Sequence, residues 1–190
     1  KFHSDAAQVL GKMPSDLQYV DCVLTSFSSH KIYGPKGIGA LYIRGGTSNW
    51  TWDYLLYGGG QESGIRPGTH NVSAIVGFGE VAFLIKKHAT NYLSKLKKIK
   101  ESCLKIIQSN YLETKLIGNS NNILFGLLCF SISQIQADAL STSSSRICIS
   151  HGSVCNSRSL SISHVLKSVG LNDQEAASTF RVSLSTNTTG

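Results

Sequence analysis

The sequence predicts an α/β fold, and three observations carry that reading. Short apolar runs bounded by glycine, serine and asparagine alternate with helical periodicities from one end of the chain to the other. Of the 190 residues, 41% are hydrophobic and 15% charged, a globular balance with apolar material for one or two cores. A change of composition near a long helical stretch divides the chain into two parts, 1–87 and 88–190.

The elements follow in order. "HSDAAQ" (3–8) sets an acid, two small residues and an amide where a strand passes into a turn. "DCVLTSFSSHK" reads as a short strand running into a polar end, and "GIGALYIR" as a second strand set off by Gly37 and Gly39. Residues 45–70 are loop-like and close on "YGGGQESGIRPGTHN". Asn71 caps a helix, or two consecutive helices, from Val72 to about Gln108, with apolar residues recurring every three or four positions. "NILFGLLCFSI" (122–132) is a buried-type strand, and 134–143 reads as helical. "RICISHGSVCNS" (146–157) is a strand leading into a small-residue loop. "LSISHVLKSVGL" (160–171) is a helix with Gly170 as its C-cap signal, and "STFRVSLS" (178–185) alternates as a final strand.

Several function classes drop out at once. No apolar run approaches the ~20 residues of a membrane helix. The net charge of +7 concentrates in "KKHATNYLSKLKKIK" (86–100), the solvated face of a helix without interleaved aromatics, which argues against a nucleic-acid binder. Five cysteines, an odd number without a CxxC or zinc spacing, point to a reducing compartment, cytoplasmic or mitochondrial, and to no metal site. The opening Lys-Phe-His-Ser-Asp has neither an initiator Met nor a secretion signal and reads as entered in mid-domain.

Four positions carry candidate chemistry. Lys31 follows His30 beside a glycine-rich turn; a lysine amine attacks aldehydes once deprotonated, and an adjacent imidazole moves protons, although an exposed loop lysine gives the same pattern. Asp5 is either a buried carboxylate at a binding site or a helix cap. Cys155 lies among Gly and Ser, presented rather than packed, in contrast to Cys129 in "LLCFSI". Arg181 in an alternating strand can hold a carboxylate in a fork, although a surface arginine is the commoner case.

Taken together and in order, "HSDAAQ…GK", "SFSSHKIYGPKGIGALYIR", "GGGQESGIRPGT", "GSVCNS" and "FRVSLS" strongly resemble the NifS/IscS-type cysteine desulfurases, class V enzymes of the pyridoxal-phosphate fold type I. The resemblance runs nearly end to end. It implies the C-terminal part of a large mixed-sheet cofactor domain over 1–87 and a small α+β domain carrying the cysteine loop over 88–190. Lys31 is the residue implied to bond the cofactor's aldehyde, with Asp5 on the pyridinium nitrogen and Gln8 on the ring's phenolic oxygen. Ser28 and His30 are implied to contact the phosphate, His30 also serving the lysine's proton traffic. Thr69 is implied to reach the phosphate of a neighbouring subunit, hence a homodimer. Arg181 is implied to take the substrate α-carboxylate, and Cys155 to accept sulfur from L-cysteine for delivery to an acceptor or scaffold protein, for iron–sulfur clusters or tRNA thiolation.

The chain departs from the family in places. Val154 stands before Cys155 where relatives carry a small residue, Asn156 follows it in place of a serine or threonine, and Ser185-Thr186-Asn187 replaces a glycine-arginine pair. The family's N-terminal phosphate loop, stacking histidine and asparagine do not occur, so an incomplete chain that binds cofactor poorly alone is expected. Selenocysteine lyase is the nearest competing activity, because "HSDAAQ" and "GGGQE…RPGT" resemble that relative too. A catalytically incomplete homologue acting as an interaction module is the competing reading from another class.

Overall fold

The structure, a computed structural model, describes residues 1–118, 124–137, 139, 163–185 and 187–188. The chain separates into two compact units, Lys1–Thr90 and Asn91–Gly190.

In the first unit three strands, β1 (His3–Asp5), β2 (Leu24–Ser28) and β3 (Gly39–Ile43), form a sheet in the order β1-β2-β3. β1 runs parallel to β2, with Asp5 beside Ser26, and β3 runs antiparallel to β2, with Gly39 beside Ser28. Thr25, Ile32, Cys22, Ala6 and Ala74 are buried. Arg44, just past β3, draws the segment before β2 onto the sheet: its guanidinium donates to the carbonyls of Leu17 (2.5 Å), Val20 (2.6 Å) and Cys22 (3.1 Å). Residues 45–70, expected as loop, contain two short 3₁₀ turns, Thr47–Asn49 and Gln61–Gly64.

The periodic stretch is a single helix, α1 (Val72–Asn110), and the boundary between the units falls within it. The Asn71 side chain accepts from the Ala74 amide at 3.3 Å, the capping role its position suggests.

In the second unit β4 (Thr114–Leu116), β5 (Leu127–Ile132) and β6 (Thr179–Ser183) form an antiparallel sheet in the order β4-β5-β6. Alternation sorts β5 between two cores. Leu128, Phe130 and Ile132 pack with Phe180 and with Cys103, Leu104 and Ile107 of α1. Cys129 faces the other cluster, built from Ile117, Leu166, Leu171 and Ala176. The Phe130 and Phe180 rings stack with centroids 5.7 Å apart. Helix α2 (His164–Ser168) ends before Gly170, whose φ of +92° is the left-handed conformation expected of it. Helix α3 (Asp173–Ala177) was not anticipated; Asn172 and Glu175 close a reciprocal capping box at its start. Helical residues near 134–143 begin at Ala137, and 140–143 lie outside the described residues, as does the strand and loop expected over 146–157. No described helix is long and apolar enough to cross a membrane.

Candidate functional site

Because β1 and β2 are parallel, their C-terminal ends lie at the same edge of the first sheet, the edge where α/β folds gather ligands. The residues that leave those ends are the ones singled out from the sequence. From β1 come Asp5 and Gln8; from β2 come Ser28, His30 and Lys31.

The β1 exit is a tight turn. Asp5 Oδ1 accepts from the Ala7 amide at 2.9 Å, Ala6 N–H donates to the Ser26 carbonyl at 2.9 Å, and Val9 N–H donates to the Ala6 carbonyl at 3.0 Å. The Asp5 carboxylate is exposed in this chain, and its second oxygen keeps acceptor capacity.

The β2 exit is a 3₁₀ turn, Ser29–Ile32. With three residues per turn, positions 29 and 32 share one side, and both are buried, at 0% and 2% exposure. His30 and Lys31 therefore project the other way and are exposed. The turn closes on Tyr33, left-handed at φ 70°, and Gly34, whose amide donates to the Ser29 carbonyl at 3.1 Å. A Cβ at Gly34 would run into the Ser29 hydroxyl and lie 2.9 Å from Val81 Cγ1, so the wall behind Lys31 needs glycine there. Ser28 Oγ and His30 Nδ1 lie 3.0 Å apart, which pairs a hydroxyl with an imidazole beside the lysine. Ser29 Oγ is buried without a hydrogen-bond partner.

Thr69 is exposed at the end of the glycine-rich loop. That loop is held in shape: Gln61 Oε1 accepts from the Gly68 amide at 3.1 Å, and His70 Nε2 lies 3.1 Å from Glu62 Oε1. In the second unit Arg181 lies opposite Cys129 on β6 and is half-buried. Burial pushes the Cys129 thiol pKa up, and the Arg181 charge opposes that rise. Burial is the larger effect, and the raised pKa suits a packed, unreactive cysteine. Cys155 lies outside the described residues.

One residue at the edge was missed as a functional candidate. Lys12, from the "GK" of the first motif, donates from Nζ to Gln8 Oε1 at 2.6 Å. Burial, and then the like charge of Lys31, lower its pKa. The motif carried the signal, but a spacing of four from Gln8 says nothing of proximity to Lys31 without the β1–β2 pairing.

The aminotransferase class-V family model matches residues 1–190. The cysteine desulfurase IscS of Buchnera aphidicola subsp. Acyrthosiphon pisum is 41% identical over 191 residues, which span 99% of this chain and 46% of that protein. The X-ray structure of a NifS-like protein from Rickettsia africae superposes with a TM-score of 0.84 at 32% identity, over 100% of this chain and 49% of that one. A structure of SspA in complex with cysteine gives 0.75 at 35% identity, over 99% and 51%. The chain thus spans about half the length of the curated relatives it matches.

Proposed function

Because the chain belongs to the aminotransferase class-V family, we propose that it is part of a pyridoxal-phosphate-dependent cysteine desulfurase, converting L-cysteine to L-alanine and holding the sulfur as a persulfide on Cys155. The parallel pairing of β1 with β2, which gathers Asp5, Gln8, Ser28, His30 and Lys31 at one sheet edge, is the observation that carries the reading. The comparisons that support the activity are the likeness to cysteine desulfurases and to a structure complexed with cysteine.

The residues fit the cofactor on the chemistry of the donor set. A hydroxyl and an imidazole at Ser28 and His30 suit a phosphate, and the amines of Lys31 and Lys12 suit an anionic aldehyde. When bound, pyridoxal phosphate supplies an electron sink that makes the substrate's α-proton removable. Lys31 would hold the cofactor through its aldehyde, and its free amine would be placed to take up the substrate's α-proton. Asp5 would keep a proton on the ring nitrogen, and Gln8 would donate to the phenolic oxygen. Arg181 holds the substrate carboxylate. The Cys155 thiolate bonds to the substrate sulfur as the carbon–sulfur bond breaks, and an acceptor protein for iron–sulfur assembly or tRNA thiolation receives it.

Thr69, exposed on its braced loop, would reach the phosphate held by the partner subunit of a homodimer. Exposed Leu55, Leu56, Tyr57, Val72, Val76 and Phe83 in the same unit support an apolar interface of that kind. Free Cys22, Cys103 and Cys129 support a reducing compartment, cytoplasmic or mitochondrial. Residues 1–87 supply the cofactor part and 88–190 the cysteine-loop part.

The test is the visible absorption of the full-length protein incubated with pyridoxal phosphate, together with alanine release from L-cysteine and from L-selenocysteine. Lys31→Ala abolishes the band; Cys155→Ser keeps the band and loses the persulfide. Turnover of selenocysteine alone would replace desulfurase with lyase, and no band in the wild type would leave an interaction module.

A further inference from the structure

We propose that Lys12 is a positioning residue for the cofactor: its ammonium fixes which end of the Gln8 amide faces the ring's phenolic oxygen. This inference rests on the reading of Gln8 as the ring's partner.

The argument begins with donor chemistry. An amide side chain offers an acceptor at one end and two donors at the other, and rotating it exchanges them. A lysine ammonium has donors only, so the 2.6 Å contact between Lys12 Nζ and Gln8 is made through Oε1. The Nε2 end is then left to donate elsewhere. A phenolate oxygen needs a donor, and an amide held the other way round would present it with an oxygen.

The turn is built to deliver this contact. Lys12 N–H and Met13 N–H both donate to the Val9 carbonyl, at 3.0 and 3.3 Å. Gly11, just before them, takes a φ of +71°, and a Cβ there would sit 2.9 Å from Ile85 Cδ1 on α1. The backbone therefore approaches the helix at Gly11 and brings the next side chain back over Gln8. Lys12 is half-buried, and burial and then the like charge of Lys31 lower its pKa. The charge that acts on it is that of Lys31, from the β2 exit.

The experiment uses the full-length protein loaded with pyridoxal phosphate and follows its visible band as a function of pH. A donor to the phenolic oxygen favours its anionic form, so Lys12→Met raises the midpoint of that titration by about one pH unit, the equivalent of one hydrogen bond to a charged group. Lys12→Arg, which keeps a donor-only cation, holds the wild-type midpoint. The Gln8→Leu background separates positioning from simple charge: there, Lys12→Met adds no further shift. An unmoved midpoint in Lys12→Met, the same shift in both backgrounds, or a shift in Lys12→Arg as large as in Lys12→Met overturns the proposal. Wild-type protein that forms no visible band overturns the cofactor reading beneath it, a result distinct from a band that forms and does not respond to Lys12.

Discussion

Gly39 tests whether the sheet sets the position of Lys31. It opens β3 opposite Ser28, and a Cβ built on it would lie 2.6 Å from the Phe27 carbonyl oxygen. The obstacle is backbone of the partner strand, so no rotamer relieves it. The contact has to open to the 3.4 Å of ordinary van der Waals distance, and only a local parting of β2 from β3 provides that. Overpacking of this kind costs about 1–3 kcal/mol, or roughly 2–12 °C of melting temperature at this size. The strain falls one residue from Ser28 and three from His30–Lys31, so Gly39→Ala also weakens cofactor retention. Two other glycines calibrate the result. Gly37 has open space where a Cβ would go but a φ of +79°, so Gly37→Ala carries only the left-handed backbone cost of about 1–2 kcal/mol. Gly79 lies within α1 with nothing near it, so Gly79→Ala stabilises by about 1 kcal/mol. Differential scanning fluorimetry and the visible band of the loaded protein read all three. A Gly39→Ala protein that melts like the wild type and holds cofactor equally well refutes the reasoning.

Three further outcomes follow from the same structure. Phe180→Ala removes a side chain only 1% exposed and its stacking with Phe130, costing about 3–5 kcal/mol in urea unfolding; a loss below about 1 kcal/mol means the second core is not where the ring places it. Arg44→Met removes the hydrogen bonds that the guanidinium gives to the carbonyls of Leu17, Val20 and Cys22 and costs about 2 kcal/mol, seen as faster amide hydrogen exchange from residue 17 into β2; unchanged exchange there refutes the bracing role. The Glu175 carboxyl titrates below the usual range, through its hydrogen bond from Lys115 at 2.7 Å and then that from the Asn172 amide. Its contribution to stability is therefore full above the ordinary carboxylate range and is lost as pH falls through the lowered value, so Glu175→Gln melts below wild type at neutral pH and converges with it in acid; a gap that persists in acid refutes the assignment.

The α/β class of the NifS-like class-V enzymes was legible because β2, β3, β5, β6 and α1 each carry a period long enough to read. β4 and α3, at three and five residues, are too short to show one. The Asn172…Glu175 box was nonetheless a readable start signal for α3. In the site, the types and order of Asp5, Gln8, Ser28, His30 and Lys31 were legible, but their meeting at one edge was not. A parallel pairing of strands joined by a long connection leaves no local trace in the sequence. Lys12 stayed hidden for that reason: its contacts with Gln8 and the field of Lys31 come from two different strand exits.

The end of β2 shows what decides the presentation of His30 and Lys31. Read as a strand, "SFSSHK" continues a period of two, which puts Ser29 and Lys31 on one face and His30 on the other. The ladder instead stops at Ser28, and the next four residues change to a period of three. The cause is Ile32, an apolar side chain that a period of two would set on the face of His30. A 3₁₀ turn buries it together with Ser29 and leaves His30 and Lys31 adjacent on the open side. Two anchors, one small and one apolar, thus orient the two residues between them. The buried Ser29 hydroxyl carries no partner of its own, so at that anchor small size matters more than hydrogen bonding. The presentation of Lys31 accordingly rests on the size of its neighbours as much as on their functional groups.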